Sequence, residues 1–554
     1  MSRRSVFIDF VFLPVLSGIL LWLAWPPLPA TALVFIGFVP LLIAEKRISD
    51  TYKKFTGLKA WLSLYLGLLI WNILCTWWVC NATFTGGLFA NLANPILMSV
   101  PWMFSRKVRL RFGNIAGYTS LPFFWMAFEY IHLRWELTWP WLNLGNVFAL
   151  NHVWVQWYSY TGTFGGTLWV WIANVGLFGI LYKKFFPKES AERKPWRKGI
   201  PLLFWITVVA LPIVLGYVMY ARYVPEGKQV KVTVLQPNFD PWTEKFIIPF
   251  PKQVDDMIAR SMAVVDSTTD YLVWPETAIP DAGLRLNNLI HERSIRTIKK
   301  STDAFPHLST ILGINGMLIY DDPADVTVSA RKFSRQGVGD IWVDQFNTAI
   351  QIDTGDHIPF YNKSKLVPGA ERMPYPGVFK FLSKYAIDLG GNTGMYGTQK
   401  DRGVFFNADS IGVGPVICYE SVFGAFVSDY VKNGANLIFI ITNDGWWKNT
   451  AGHKQHCMYA SLRSIETRRD IARSANTGTS CFIDQKGDIH QATEWREDAI
   501  ITQTILANNR ETFYTRHGDY IGLFAVWMSI GILLTYYIRI LMDTWNKRSK
   551  SPKV

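Results

Sequence analysis

Long apolar runs alternate with short polar connections through the first 223 residues, and one further apolar run lies near the carboxyl end. The apolar runs occupy residues 6–26, 29–44, 58–79, 87–104, 115–133, 164–182, 200–221 and 519–541. Most approach the roughly 20 residues that an α-helix needs to cross a bilayer. The second run is short, and the fifth contains Glu129 and His132. The pattern predicts seven transmembrane helices in 1–223 and an eighth, followed by a basic tail, in 516–554.

The region 224–515 has a different pattern. Short strand-like segments rich in apolar residues, such as 229–237, 413–417 and 437–443, alternate with segments of helical spacing at 252–266 and 287–302. This alternation predicts an α/β domain whose sheets are covered by helices. The glycine-rich stretch 390–397 follows no strand–helix unit, so it does not indicate a nucleotide site.

Composition and charge exclude an ordinary soluble enzyme. The 554 residues are 50% hydrophobic and include 25 Trp, which is too apolar for that class. The net charge of +14 comes from basic clusters between apolar runs, at 46–59, 106–111, 183–198 and 547–553. This distribution is the positive-inside pattern of membrane proteins and not that of a nucleic-acid surface. It predicts cytoplasmic termini, an uncleaved first span and an extracytoplasmic domain at 224–515. A miscount by one span would place that domain inside.

The five cysteines are odd in number and lack zinc-type spacing, so we predict no disulfide framework. His453, His456 and Cys457 could be drawn as a metal site. Two His and one Cys on a helix without a carboxylate ligand are more typical of a structural role. We therefore predict that the protein uses no metal and no other cofactor.

Three short motifs in the α/β region carry residues suited to acyl transfer. I-C-Y-E-S places Cys418 at the end of an apolar strand, W-P-E-T-A-I-P places Glu276 at another strand end, and Y-N-K-S-K-L-V-P contains Lys363. A cysteine nucleophile needs a base and a nearby cation. Apolar surroundings can raise the pKa of a carboxyl such as Glu276 towards the range of a useful base. Taken singly, an inert core cysteine or a solvated Glu or Lys explains each motif, and Lys365 is an alternative to Lys363.

Together the three motifs resemble the nitrilase superfamily, whose catalytic Glu, Lys and Cys occur in this order. The chain most resembles the apolipoprotein N-acyltransferases, in which a nitrilase-like domain lies between the last two of eight spans. The resemblance implies an eight-span α-helical membrane domain plus an α-β-β-α sandwich. It assigns the base to Glu276, the cation to Lys363 and the nucleophile to Cys418. It also implies supporting or substrate-binding roles for Glu371, Tyr419, Glu420, Asn347, Trp446 and Trp447.

Two further segments bear on the resemblance. The Trp residues of T-W-P-W-L-N-L-G-N, 138–146, favour an aromatic belt by themselves, whereas the resemblance places P-W-L-N-L-G near the active site. The family usually has P-F-G-E where this chain has Pro368, Gly369, Ala370 and Glu371. The missing aromatic puts the lipid contacts of this loop in question, but not the reaction.

The implied function is transfer of an acyl chain from a phospholipid to the N-terminal amine of the diacylglyceryl cysteine of apolipoproteins, through a Cys thioester. The implied setting is the bacterial inner membrane, and we predict a monomer. A membrane-anchored amidase or nitrilase that uses water is the alternative. A non-catalytic lipid-binding protein would not need an intact Glu, Lys and Cys.

The segment 375–385 mixes large apolar residues with Lys380 and Lys384. That composition suits the headgroup layer of a membrane, and it predicts a mobile lid over Cys418. The alternative is that Phe379 and Phe381 belong to the core.

The alternation of basic loops gives a topology that can be tested with fusions. Alkaline phosphatase, which is active only outside the cytoplasm, should be active when fused after Tyr223 and inactive after Lys184. A cytoplasm-specific reporter at the same two positions should give the opposite pattern. Inverted activities at both positions would overturn the span count.

Overall fold

The computed structural model describes residues 3–52, 54–186, 200–320, 322–327, 329–335, 339–375 and 396–549. Its helices in chain order are α1 (Arg3–Ala24), α2 (Val39–Thr51), α3 (Thr56–Thr76), α4 (Val79–Ala82), α5 (Phe84–Phe112), α6 (Asn114–His132), α7 (Tyr158–Phe185), α8 (Ile200–Arg222), α9 (Phe250–Met262), α10 (Arg293–Thr302), α11 (Gly424–Lys432), α12 (Ala451–Thr467), α13 (Phe513–His517) and α14 (Tyr520–Ser549). Five of them, α1, α3, α7, α8 and α14, are long and apolar enough to cross a membrane.

The other three predicted spans differ in character. The second falls on a 3-10 turn, Thr31–Phe35, and on α2, whose 13 residues reach about 20 Å at 1.5 Å per residue, short of a bilayer core of about 30 Å. The fourth and fifth fall on the long helices α5 and α6, which are not among those five. Several apolar helices are therefore confirmed, while the count of eight spans stays a prediction.

Two mixed sheets form the centre of the α/β region. The strands are β1 (Lys228–Gln236), β2 (Tyr271–Val273), β3 (Ile279–Arg285), β4 (Ser309–Tyr320), β5 (Arg331–Arg335), β6 (Gly339–Ile352), β7 (Phe360–Asn362), β8 (Phe405–Phe406), β9 (Gly412–Ile417), β10 (Leu437–Thr442), β11 (Ile471–Ala475), β12 (Cys481–Ile483), β13 (Ile489–His490) and β14 (Ala499–Ala507). The first sheet has the order β14-β1-β2-β4-β6-β5, with β3 beside β4 and β7 beside β6. The second sheet has the order β13-β12-β11-β10-β9-β8.

Strand alternation sends side chains of the first sheet into two different cores. Tyr271 and Val273 belong to the cluster that contains the second sheet, and the Tyr271 ring lies edge-on to Phe439 at 5.2 Å. Leu272 and Trp274 belong to the cluster that α9 and α10 cover. Helices α11 and α12 cover the other side of the second sheet. Since successive side chains in a strand face opposite ways, the layers are helix, sheet, sheet, helix, as the resemblance implied.

Helix α12 has almost no exposed face. Its charged residues Arg463 and Glu466 are buried along with its apolar ones. One side packs on the second sheet, and the other contacts α7 and the segment after α6. On that outer side Trp141 Nε1 donates to Gln455 Oε1 (2.7 Å), and Tyr459 Oη donates to the Trp141 carbonyl (2.9 Å). The α/β domain and the apolar helices thus share one core.

Gly313 of β4 leaves space for the loop that carries Glu276. A Cβ at this position would lie 2.5 Å from the Thr277 nitrogen and 2.7 Å from the Glu276 Cα. We expect Gly313→Ala to displace Glu276 and to lower the predicted acyl transfer by about 10- to 100-fold, because the sequence assigns Glu276 the role of base and small misplacements of such a group are costly. Gly403→Ala is the control, since its Cβ would make only an ordinary contact with Tyr361 at 3.4 Å. Equal rates of labelled-acyl transfer in both variants would contradict this account.

Candidate active site

Glu276 lies just beyond β2, in the turn that Trp274 and Pro275 begin. The turn is held against β4, where the Gly313 N–H donates to the Pro275 carbonyl (3.1 Å). In addition, Lys245 Nζ donates to the main-chain carbonyl of Glu276 (2.9 Å). The Glu276 side chain is buried. The strand end therefore fixes both the main chain and the direction of the carboxylate.

Lys363 lies between two carboxylates in the buried interior. It follows β7, and its Nζ lies 3.0 Å from Glu276 Oε1 and 2.8 Å from Glu371 Oε1, with 1% of the side chain exposed. Asn347 of β6 donates to the same two oxygens, at 2.7 and 3.2 Å. The structure thus brings together Glu276, Lys363, Glu371 and Asn347, four of the residues that the sequence indicates.

The charges in this cluster set the pKa of each member. Burial by itself would raise the pKa of Glu276, but Lys363, with Asn347 and Lys245, holds it below the usual value. Burial would lower the pKa of Lys363, whereas Glu276 and Glu371 raise it well above the usual value. The expectation of a raised pKa for Glu276 is therefore wrong, because an ammonium group and not only apolar surroundings faces the carboxylate.

Cys418 begins a 3-10 turn, Cys418–Val422, directly after β9. Its φ is +50°, an uncommon backbone conformation for a residue with a side chain. The side chain is buried, and burial followed by the negative charge of Glu276 raises the pKa of the thiol above its usual value, against the opposing effect of Lys363. The thiol is accordingly neutral at rest, and a base must remove its proton during reaction.

Glu420 holds the Cys418 turn against the Lys363 loop. Its Oε1 accepts hydrogen bonds from the Ser364 N–H (2.7 Å) and Tyr361 Oη (2.8 Å), and its Oε2 accepts one from the Ile417 N–H (2.9 Å). Burial raises the pKa of Glu420, and the two N–H donors partly oppose this rise. The Glu420 carboxyl therefore fixes the turn of Cys418 relative to the loop of Lys363.

A second buried network supports Cys418 from the side of α12. The His456 ring lies between Asp444 (Nδ1 to Oδ1, 2.9 Å) and the main-chain carbonyl of Cys418 (Nε2 to O, 3.1 Å). Ser421 Oγ donates to the same carbonyl (2.8 Å), and Arg473 Nη2 donates to Asp444 Oδ2 (2.6 Å). These contacts stabilise the left-handed conformation of Cys418.

The ligand atoms of Cys418, Asp444 and His456 lie within 4.8 Å of one another, the spacing of a small metal site. The Arg473 guanidinium lies 2.6 Å from Asp444 and 3.1 Å from His456 Nδ1. This positive charge opposes a metal cation at the same place. The grouping considered from sequence does not form, because His453 contacts Asn449 and Cys457 contacts Cys481 (3.7 Å).

An apolar cavity of about 480 Å³ adjoins the site. Its walls come from α5, from the segment after α6, and from the loop after Lys363; the lining includes Phe89, Trp139, Trp141, Pro368, Gly369, Ala370, Tyr419 and Trp447. Tyr419 is the neighbour of Cys418, and its Oη donates to the Thr138 carbonyl (3.0 Å). The cavity therefore reaches the residue next to Cys418. Thr138, Trp139 and Trp141 line it, and residues 140–146 are buried, so this segment is not a lipid-facing belt.

The remaining predicted residues lie at the edge of this arrangement. Trp446 packs against Trp242 and Phe246 and not against the cavity. Lys365 Nζ donates to the Leu133 carbonyl (3.2 Å), away from Glu276. The predicted lid is untested because 376–395 lie outside the described residues.

The chain is similar to known proteins over most of its length. The family model for the apolipoprotein N-acyltransferase N-terminal domain matches residues 17–176, and the carbon-nitrogen hydrolase model matches 231–513. An apolipoprotein N-acyltransferase of Chlorobaculum tepidum is 30% identical over 92% of this chain and 93% of that protein. One of Geobacter metallireducens is 28% identical over 93% of this chain and 94% of that protein. This chain belongs to the apolipoprotein N-acyltransferase family. Among solved structures, an amidase from Nesterenkonia is 12% identical, covers 52% of this chain and 95% of its own, and has a TM-score of 0.35.

In this family member, the sequence motifs did not indicate Lys245, Asp444 or Arg473, and they indicated His456 only as a possible metal ligand. Asp444, His456 and Arg473 all lie between residues 442 and 480, beyond the three motifs that carry the resemblance. Asp444 in T-N-D-G and His456 in Q-H were the available signals. Their pairing depends on the contact between α12 and the second sheet, which no spacing in the sequence shows.

The Glu276→Gln variant should distinguish proton transfer by Glu276 from its effect on the reactivity of the Cys418 thiol. Loss of the carboxylate removes the predicted base, so acyl-adduct formation on Cys418 should fall by about 10²- to 10⁴-fold. It also removes a negative charge that raises the thiol pKa, so alkylation of Cys418 by iodoacetamide at pH 8 should become faster. Peptide mass spectrometry would measure both rates, with the exposed Glu494→Gln as control. Parallel loss of adduct formation and alkylation would instead indicate a collapsed site.

Proposed function

We propose that this protein transfers an acyl chain from a membrane phospholipid to the α-amine of the diacylglyceryl cysteine at the start of an apolipoprotein. One observation carries the proposal most directly: a buried Glu276–Lys363–Glu371 cluster accompanies Cys418 beside an apolar cavity that α5 helps to line. Membership of the family over both parts of the chain agrees with it.

In the first step Cys418 Sγ attacks the ester carbonyl carbon of the phospholipid. Glu276 takes the thiol proton, and Lys363 stabilises the oxyanion of the tetrahedral intermediate. When the intermediate collapses, the C–O bond to the glycerol breaks, and the leaving oxygen takes the proton from Glu276. A thioester on Cys418 and a free lysophospholipid result.

In the second step the lipoprotein amine attacks the thioester carbonyl carbon. A free α-amine has a pKa of about 7.7–8.0, so part of it is neutral near pH 7, and Glu276 accepts the proton that the nitrogen loses as the C–N bond forms. The C–S bond breaks, the Cys418 thiolate takes that proton from Glu276, and the amide product leaves. One cysteine serves both substrates in turn, which makes the mechanism ping-pong.

The apolar helices assist this reaction because they reduce the free-energy cost of bringing lipid acyl chains to the site. Moving a palmitoyl-length chain into water costs on the order of 12 kcal/mol at about 0.8 kcal/mol per CH₂. A site that opens through an apolar cavity beside α5 avoids that cost for both lipids. The inner membrane, an extracytoplasmic domain within 224–515 and a monomer fit this function and are part of the proposal.

A water-using amidase or nitrilase is not favoured. Such an enzyme would need the same Glu, Lys and Cys, but it would not need the N-terminal domain that the family model matches over residues 17–176. Hydrolysis would also release the acyl group as a free fatty acid, which the test below would detect.

The acyl carrier can be identified directly. Incubation of the purified protein with phospholipid carrying a labelled acyl chain should give a hydroxylamine-sensitive adduct on the Cys418 peptide, because thioesters react with hydroxylamine. Cys418→Ala should lose the adduct, and Cys80→Ala in α4 should keep it. Added diacylated lipopeptide should then receive the label as an amide, measured by mass spectrometry. Label on Cys418→Ala, or label released only as fatty acid, would contradict the proposal.

A further inference from the structure

Lys245 is buried in a loop whose neighbouring side chains face outward. Trp242, Phe246 and Ile247 are 46%, 40% and 72% exposed, whereas Lys245 is 2% exposed. The loop is closed by Gln253, whose Nε2 donates to the main-chain carbonyls of Lys245 and Ile248, both at 2.8 Å. The lysine side chain is thus held beneath an exposed apolar surface.

The ammonium group of Lys245 is directed at the catalytic centre. Its Nζ donates to the main-chain carbonyl of Glu276 at 2.9 Å, and within the described part of the chain the charge that favours its protonated form is the Glu276 carboxylate. A buried charge is costly unless an opposite charge compensates it. Lys245 therefore contacts the main chain of Glu276, and the carboxylate that favours its charge without direct contact is the one that also contacts Lys363.

The charge balance of the cluster supports this assignment. Glu276 and Glu371 share the single ammonium of Lys363, so these three groups carry one negative charge in excess. Lys245 supplies the second positive charge and makes the set neutral. Burial lowers the pKa of Lys245 to about 8, and Lys245 is one of the groups that hold the pKa of Glu276 below its usual value.

We propose that Lys245 is a positioning residue of the acyl-transfer site, which anchors the main chain of Glu276 and keeps its carboxylate in the anionic form that accepts a proton. This inference rests on the proposed function, since it assigns Glu276 the role of base. Lys245 acts through Glu276 and does not need to touch either substrate.

The consequence is a change in how the first step depends on pH. The titratable groups that face Glu276 in the described structure are Lys363, Glu371, Lys245 and Cys418. Loss of the Lys245 charge removes one cation from this set, so Glu276 binds its proton more tightly. The rate then begins to fall at a higher pH when the solution is acidified. The shift should be about one pH unit, as for one nearby opposite charge.

The experiment measures adduct formation on Cys418 in single turnovers, with labelled phospholipid in detergent micelles, between pH 4 and pH 7.5. Lys245→Gln keeps a hydrogen-bond donor without the charge, and Lys245→Arg keeps the charge. Lys365→Gln is the matched control, because Lys365 also donates to a main-chain carbonyl but lies beside Phe423 instead of Glu276. Alkylation of Cys418 by iodoacetamide reports separately whether each variant retains its site.

We expect the acid limb to move to higher pH in Lys245→Gln only, with its rate approaching that of the wild type near pH 7.5. Coincident acid limbs in Lys245→Gln and wild type would overturn the inference. A loss that is equal at every pH in both the Gln and the Arg variant would also overturn it, because it would indicate a purely structural lysine. A wild-type protein that forms no adduct at any pH would contradict the proposed function instead.

Discussion

The arrangement of the site depends on one buried ammonium group shared by two carboxylates. Lys363 is 1% exposed and contacts both Glu276 and Glu371. Removing one partner from such a pair typically costs about 3–5 kcal/mol, because an uncompensated charge remains in the interior. Separating Glu276, which follows β2, from Lys363, which follows β7, is therefore costly once both are buried. The same pairing places the proposed base and cation where their charges act on Cys418, which follows β9.

The second constraint is the shared core between the α/β domain and the apolar helices. Helix α12 packs on the second sheet and carries His456, which supports the Cys418 carbonyl, while Gln455 and Tyr459 of the same helix bind Trp141 from the other side. A displacement of the segment after α6 would therefore shift α12, which contacts that segment directly. The same helix therefore positions both Cys418 and Trp141, a residue of the cavity wall.

Much of this structure could be predicted from local patterns in the sequence. Apolar runs located α1, α3, α7, α8 and α14, since length and hydropathy act within a single segment. Short motifs predicted that Glu276, Lys363 and Cys418 follow strands, because the turn after a strand places its side chains at the edge of a sheet. The pKa of Glu276 and the roles of Lys245, Asp444, His456 and Arg473 were not predictable in the same way. They depend on which charges meet after strands far apart in the chain have paired.

Burial of Cys418 has two consequences that oppose and then assist the reaction. It raises the thiol pKa, so the resting group is a poor nucleophile and, in the proposed mechanism, depends on Glu276 for each attack. In the proposed acyl-enzyme, the same burial would keep bulk water from the thioester. Water is present at far higher concentration than any amine, so exclusion of water decides between transfer and hydrolysis. A low thiol pKa reached by exposure to solvent would speed the first step and lose the acyl group in the second. The neutral, buried thiol therefore suits an enzyme whose acceptor is an amine anchored in the membrane.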